Sequence, residues 1–320
     1  MQKQFRALIV IGFFACWLGA APSVASIQKD EVQKTVLVTG ASSGIGRKIT
    51  EVLAENGYFV YAGARKAEDL AELNQMDNVE SVRLDVTVQE DIDAAVARIT
   101  EAGRGLHGIV NNAGVAVFSP MNETPEEDID FVFDVNVYGP YRINKAFAPL
   151  LVANSGRTTT IGSISGFISG ARSGTYSMSK FAVEAYTDAL AEEMAESGVH
   201  VSVIEPGGYK SKIREKVVMH MIGKTPGDTG ELTADEKSRL EQIRERNAKL
   251  KEPDEVAEAV LHALFAEKPK PRYMVAPNQE EAEITIRTAL TRVAQLNADQ
   301  PYSYSLEALK KMLEEVVANQ

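Results

Sequence analysis

From Lys34 to about Val275 the chain alternates short β-rich runs with amphipathic helical stretches, and this alternation limits its fold more than any other feature. The runs cover residues 35–39, 59–63, 79–84, 106–111, 157–163, 199–205 and 272–275. Helical patterns fall between them at about 44–56, 67–74, 88–102, 125–153, 175–197 and 253–266. Strands separated by helices line up in parallel, with helices covering both faces of the sheet. Several runs are continuously apolar, as strands buried on both faces are. The expectation is an α/β protein with a doubly wound parallel sheet of about seven strands, whose ligand lies beyond the strands' carboxyl ends.

Two segments depart from the alternation. Residues 211–252 form a mixed stretch, and its apolar members Ile213, Val217, Val218, Met219, Met221 and Ile222 face either a substrate or the core. Beyond Pro277, helices at about 279–297 and 304–318 make a helical C-terminal extension. In the second of these, Leu306, Leu309, Met312 and Val316 form a stripe suited to a core or a subunit-packing face. The expected organisation is a leader over 1–25, a main domain over 26–276 with 211–252 as its substrate loop, and an extension over 277–320.

The first residues differ in kind from the rest. Lys3 and Arg6 precede an apolar run from 7 to 22, and Ser23-Val24-Ala25 supplies small residues for cleavage. This is the layout of a secretory leader, and the same run, left uncleaved, would associate with a membrane. The expected location is therefore exported, in a periplasm or lumen, or membrane-anchored; a misassigned start would leave the protein cytoplasmic. Cys16, the single cysteine, lies inside this segment, so a processed chain has neither disulfides nor a catalytic thiol.

Charge narrows the partners. With 45 acidic and 34 basic residues the net charge is −11, and no run of five basic residues occurs, which argues against nucleic acid. The four histidines are scattered without metal-ligand spacing, so no metal site is expected.

The first run leads straight into Thr39-Gly40-Ala41-Ser42-Ser43-Gly44-Ile45-Gly46 and then a helix. Glycines there allow a tight turn and close backbone approach to a pyrophosphate, while the helix N-terminus offers N–H groups and partial positive charge. Further on, Tyr176 and Lys180 stand four residues apart in a helical stretch, on one face. An ammonium beside a phenol favours phenolate, so the pair is suited to proton transfer.

Taken in order, these motifs resemble the short-chain dehydrogenase/reductase family across about residues 34–276. The set comprises the glycine turn, Asp85-Val86, Asn111-Asn112-Ala113-Gly114, Asn136-Val137-Tyr138-Gly139, Ser163, Tyr176-x-x-x-Lys180 and Pro206-Gly207. The family's Pro-Gly-x-x-x-Thr ends here in Ser211, which keeps the hydroxyl. The resemblance implies a Rossmann-like fold and an NAD(P)-dependent enzyme that interconverts an alcohol and a carbonyl compound. It gives Tyr176 the acid/base role and Lys180 the nicotinamide ribose and a lowered tyrosine pKa. Ser163 would bond the substrate oxygen, and Asn136 would hold a proton-relay water. Asp85 and Val86 would meet adenine, with Asn112, Ala113 and Gly114 on the ribose side. Pro206, Gly207 and Ser211 complete the cofactor set. The second run ends in Arg65 and Lys66 rather than an acid, which suits a 2′-phosphate and points to NADP(H) over NAD(H). Tyr138, Tyr141 and Tyr186 read as packing residues.

Val203 to Ser211, with the Tyr61-to-Arg65 run, resembles the retinol and 17β-hydroxysteroid dehydrogenase branch and implies a lipophilic substrate. The long helices at 125–153 and 175–197 are the family's association faces, implying a homo-oligomer. The alternative is a non-catalytic dinucleotide-binding regulatory protein of the same fold.

Overall fold

The computed structural model describes residues 33–223 and 232–319. The leader expected at 1–25, its apolar run at 7–22 and residues 224–231 of the expected substrate loop lie outside the described residues. Residues 33–320 form one compact unit, so the C-terminal extension belongs to the main domain.

Seven strands are present: β1 Thr35–Val38, β2 Phe59–Ala64, β3 Val79–Arg83, β4 Gly108–Asn111, β5 Arg157–Ile161, β6 His200–Pro206 and β7 Arg272–Val275. All neighbours pair in parallel, in the order β3-β2-β1-β4-β5-β6-β7. The chain builds outward from β1 to β3, then returns to β4 and builds the other way. Loops leaving the adjacent strands β1 and β4 therefore diverge and open a crevice at their carboxyl ends.

The helices are α1 Gly44–Glu55, α2 Ala67–Leu73, α3 Gln89–Glu101, α4 Glu126–Phe133, α5 Gly139–Ala153, α6 Gly174–Ala195, α7 Ile213–Met221, α8 Ala234–Ala248, α9 Asp254–Phe265, α10 Gln279–Asn297 and α11 Leu306–Ala318. Successive side chains of a strand point to opposite faces, so each strand feeds two cores. Val36 and Val38 of β1 pack with Ile49 and Leu53 of α1 and Val256, Val260 and Leu264 of α9. Leu37 between them joins Ile92 and Ile99 of α3 with Ile143, Phe147 and Leu151 of α5 on the other face.

The expected strands and helices form, with ends displaced by one or two residues, except in the stretch 125–153. That stretch is broken by a π turn at Asp134–Tyr138, between α4 and α5. Pro140 supplies the reason: it has no N–H to give to the carbonyl of Asn136 four residues earlier, and its ring crowds that carbonyl.

The structure decides among the packing expectations. The Leu306–Met312–Val316 stripe is not core: these side chains are exposed, because α11 lies at the edge of the unit with that face toward solvent. Tyr138 and Tyr141 are also exposed, on the outside of the α4–α5 segment, whereas Tyr186 is bonded to Asn144 and Pro140. Within 213–222 the two options divide residue by residue. Val217 and Met219 are buried, Ile213 faces the crevice and Met221 is exposed.

Candidate active site

A cleft of about 390 Å³ opens at the carboxyl ends of β1, β4, β5 and β6. Its floor begins with the glycine turn. Gly40 and Gly44 have φ of +64° and +58°, the left-handed region that a Cβ disfavours. At Gly46 a Cβ would sit 2.2 Å from Nδ2 of Asn112 and 2.4 Å from the carbonyl of Gly40, so only hydrogen fits. Asn112 itself ties the two loops together, its Nδ2 donating to the carbonyls of Thr39 at 2.9 Å and Gly40 at 3.0 Å. Thr39 Oγ1 accepts from the backbone N–H groups of Asn112 and Ala113, both at 3.0 Å.

Ser43 stands at the N-cap of α1 with no side-chain capping bond, so the first N–H groups of that helix stay directed at the cleft. This open N-terminus, together with the cradle at Gly40 and Gly44, fits a pyrophosphate. Ser42 lies in the same turn. Gly44, Ile45, Asn112, Ala113 and Gly114 border the cleft directly, while Gly46 lies behind them.

Arg65, Lys66, Asp85 and Val86, expected at the cofactor's adenosine end, follow β2 and β3 and lie outside the lining of the cleft. Arg65 Nη1 bonds Oδ2 of Asp85 at 3.3 Å, and Asp85 Oδ1 accepts from the N–H and hydroxyl of Thr87. Burial works against ionisation of Asp85, but the Thr87 bonds and the Arg65 guanidinium outweigh it and hold the carboxyl below its usual range. Val86 is buried against Gly139 and belongs to the α3–α5 core; its carbonyl accepts from Arg142.

At the opposite end, β5 and the start of α6 bring Ser163, Tyr176 and Lys180 together on the cleft wall. Ser163 ends an extended segment and is held by bonds from the N–H of Ser165 at 3.0 Å and to the carbonyl of Pro206 at 3.4 Å. Lys180 follows Tyr176 by one helical turn, and its Nζ donates to the carbonyl of Ile161 at 2.7 Å. That places the ammonium 5.7 Å from the centre of the Tyr176 ring.

The phenol is not depressed as the Tyr-x-x-x-Lys spacing suggests. Burial pushes Tyr176 above its ordinary 10.0, and the hydroxyl of Ser163 offsets this only in part. The same burial brings Lys180 down to about 8, against the pull of Glu184 one turn further on. In a dry corner, withdrawing water from both charged forms dominates over their mutual attraction.

Asn136 stands behind this corner rather than on the cleft wall. Its Oδ1 accepts from the N–H of Val115, and its Nδ2 donates to Val115 O and to Ser179 Oγ, all at 2.9 Å. The side chain thus binds the π turn to the loop after β4 and to α6.

Pro206, Gly207 and Ser211 complete the wall, and Gly208 donates its N–H to Glu281 of α10 at 2.6 Å. Glu281 and Ile284 bring the C-terminal extension into the site, as Phe118 brings the loop after β4; its ring meets Tyr176 edge-on at 6.0 Å. Sequence reasoning passed over these residues, and also over Glu184, Glu205 and Lys216. Only Glu184 carried a local signal, being four residues beyond Lys180 on the same helical face.

A family model described as short chain dehydrogenase matches residues 34–221. The chain belongs to the short-chain dehydrogenase family. An uncharacterized oxidoreductase of Escherichia coli K12, YbbO, is 32% identical over 76% of this chain and 86% of its own. Mouse retinol dehydrogenase 7 is 36% identical over 56% of this chain and 58% of its own. Among solved structures, an alcohol dehydrogenase from Thermococcus sibiricus, complexed with 5-hydroxy-NADP, is similar with a TM-score of 0.61 and 25% identity, covering 76% of this chain and 96% of that one. As a short-chain dehydrogenase, the protein is an NAD(P)-dependent oxidoreductase that uses a nicotinamide dinucleotide.

Proposed function

We propose that this protein interconverts an alcohol and a lipophilic carbonyl compound, preferring NADP(H), with Tyr176 as the acid/base. The reading rests above all on the meeting of Tyr176, Ser163 and Lys180 in one buried corner of the cleft. A bound nicotinamide supplies or takes the hydride. In reduction the Tyr176 hydroxyl donates its proton to the substrate oxygen, while the Ser163 hydroxyl donates a hydrogen bond that stabilises charge developing there. In oxidation the tyrosine takes the proton back.

A phenol whose pKa is raised keeps its proton until the substrate oxygen demands it, which favours the acid role. Lys180, brought to about 8, exchanges its proton near neutral pH and can resupply the tyrosine. Asn136 has its side chain fully engaged. A relay water would therefore lie on its main-chain carbonyl, to which Pro140 donates nothing. Arg65 and Lys66 at the end of β2 support the NADP(H) preference, through charge-assisted bonds to a 2′-phosphate. Phe118, Ile164, Ile168 and Ile213 make an apolar wall beside the tyrosine, and the likeness to a retinol dehydrogenase supports a lipophilic substrate.

The test is NADPH oxidation by the purified protein with a panel of aldehydes and ketones. Turnover that is abolished in Tyr176→Phe supports the proposal. No turnover by wild type, or undiminished turnover in the variant, rejects it. A larger thermal stabilisation by NADPH than by NADH checks the cofactor preference. The proposal extends to a homo-oligomer through the outer faces of α5 and α6, and to residues 1–25 as an export leader or, uncleaved, a membrane anchor. N-terminal sequencing of the natural protein, with fractionation, tests the latter.

A further inference from the structure

α7 begins directly over the glycine turn: a Cβ on Gly44 would stand 3.3 Å from Cα of Ser211 and 3.6 Å from the backbone N of Lys212. Lys212 and Lys216 lie one helical turn apart on α7, so their ammonium groups share a face, and both border the cleft beside Gly44 and Ile45. Like charges at this spacing repel each other. Burial, then Arg65, Lys212 and Lys66, hold Lys216 below its usual range, and Asp69 is the one acid that counters them. Among the described residues the ammonium of Lys216 makes no hydrogen bond or ion pair, although Arg65 pairs with Asp85 and Lys66 with Glu68. A half-buried ammonium in a field of cations from a second element costs stability, and Asp69 by itself does not fully offset that cost. An anion seated between the end of β2 and α7 would.

The location says which anion. The pyrophosphate of a dinucleotide belongs at the N-terminus of α1, whereas Arg65, Lys66 and Asp69 mark the end of β2 and the start of α2, where the adenosine ribose lies. We propose that Lys216 is a second anchor for the cofactor's 2′-phosphate, reached from the substrate-loop helix α7 opposite Arg65. This rests on the NADP(H) reading above and adds to it. The phosphate is gripped from two sides, so selecting NADP(H) and seating α7 over the cofactor become one event.

Affinities of wild type, Lys216→Met and Lys216→Arg for 2′,5′-ADP and 5′-AMP, measured by calorimetry, test the inference, because the two probes differ only in the 2′-phosphate. Wild type is expected to favour 2′,5′-ADP. Lys216→Met should reduce that preference by about tenfold or more, as expected for one charge-assisted bond, while 5′-AMP binding stays unchanged and Lys216→Arg restores it. Loss of both probes equally in Lys216→Met would overturn the assignment, since the lysine would then serve the pyrophosphate or the fold. A preference undiminished in Lys216→Met but lost in Arg65→Met would overturn it too, leaving the NADP(H) reading in place. No preference in wild type would remove both.

Discussion

Replacing Glu205 with glutamine should flatten the dependence of stability on pH. Glu205 on β6 is 2% exposed and Glu184 on α6 is 10% exposed, and Arg272 of β7 bonds both, at 2.9 Å to Glu205. Two carboxylates sharing one guanidinium in this interior do not both ionise. Burial first, then the charge of Glu184, pushes Glu205 from its ordinary 4.5 up to about 8. The unfolded chain releases this proton near the ordinary value. Between about 4.5 and 8 the folded state therefore binds one proton more than the unfolded state. Stability falls as pH rises through that window, by at most about 1.4 kcal/mol per pH unit, the value for one proton. Below the window the effect is fully relieved.

Glutamine keeps the shape, offers its amide to Glu184 and leaves that carboxylate alone opposite Arg272. It has no proton to lose. Urea unfolding of wild type and Glu205→Gln at several pH values between about 5 and 8 measures the difference. The variant is expected to gain on wild type steadily as pH rises, approaching the one-proton slope in mid-window. Parallel curves would mean that the folded protein holds no extra proton, and the reasoning about the shared guanidinium would fail.

Other perturbations probe the site and its supports. Gly46→Ala places a methyl 2.4 Å from the carbonyl of Gly40, a backbone atom that cannot swing aside; a loss of about 1–3 kcal/mol in urea unfolding and weaker NADPH binding are expected. Asn136→Ala strips partners from both backbone groups of Val115, and about 1–3 kcal/mol of stability should be lost, read from the urea midpoint. Lys180→Met should abolish the rise of stability with pH between about 8 and 10.5, where the folded wild type has released a proton that the unfolded chain retains. Glutamates in place of the exposed Tyr138 and Tyr141 should shift sedimentation toward smaller species, and an unchanged profile would exclude that face from assembly.

Much of the architecture was legible in the chain because its signals are local. Apolar runs of strand length, separated by helical periodicity, require a parallel sheet with two covered faces, and the glycine turn marks which end of it binds an anion. Tyr176 and Lys180 share a face because a helix repeats in a little under four residues. What the local pattern concealed was interruption and environment. Pro140 was in plain view, yet the stretch around Asn136 read as one helix, because its apolar spacing runs through the π turn.

Tertiary structure alone decided the charges. Depth of burial makes the phenol of Tyr176 harder, not easier, to ionise, and no spacing reports depth. Glu205 keeps its proton only because β6, β7 and α6 bring Glu184, Glu205 and Arg272 together from positions distant in sequence. Lys216 becomes part of a cationic cluster only because α7 folds back over the turn after β1. Residue types and spacings establish which groups are available, whereas solvent exclusion and long-range neighbours set how readily each one holds or releases a proton.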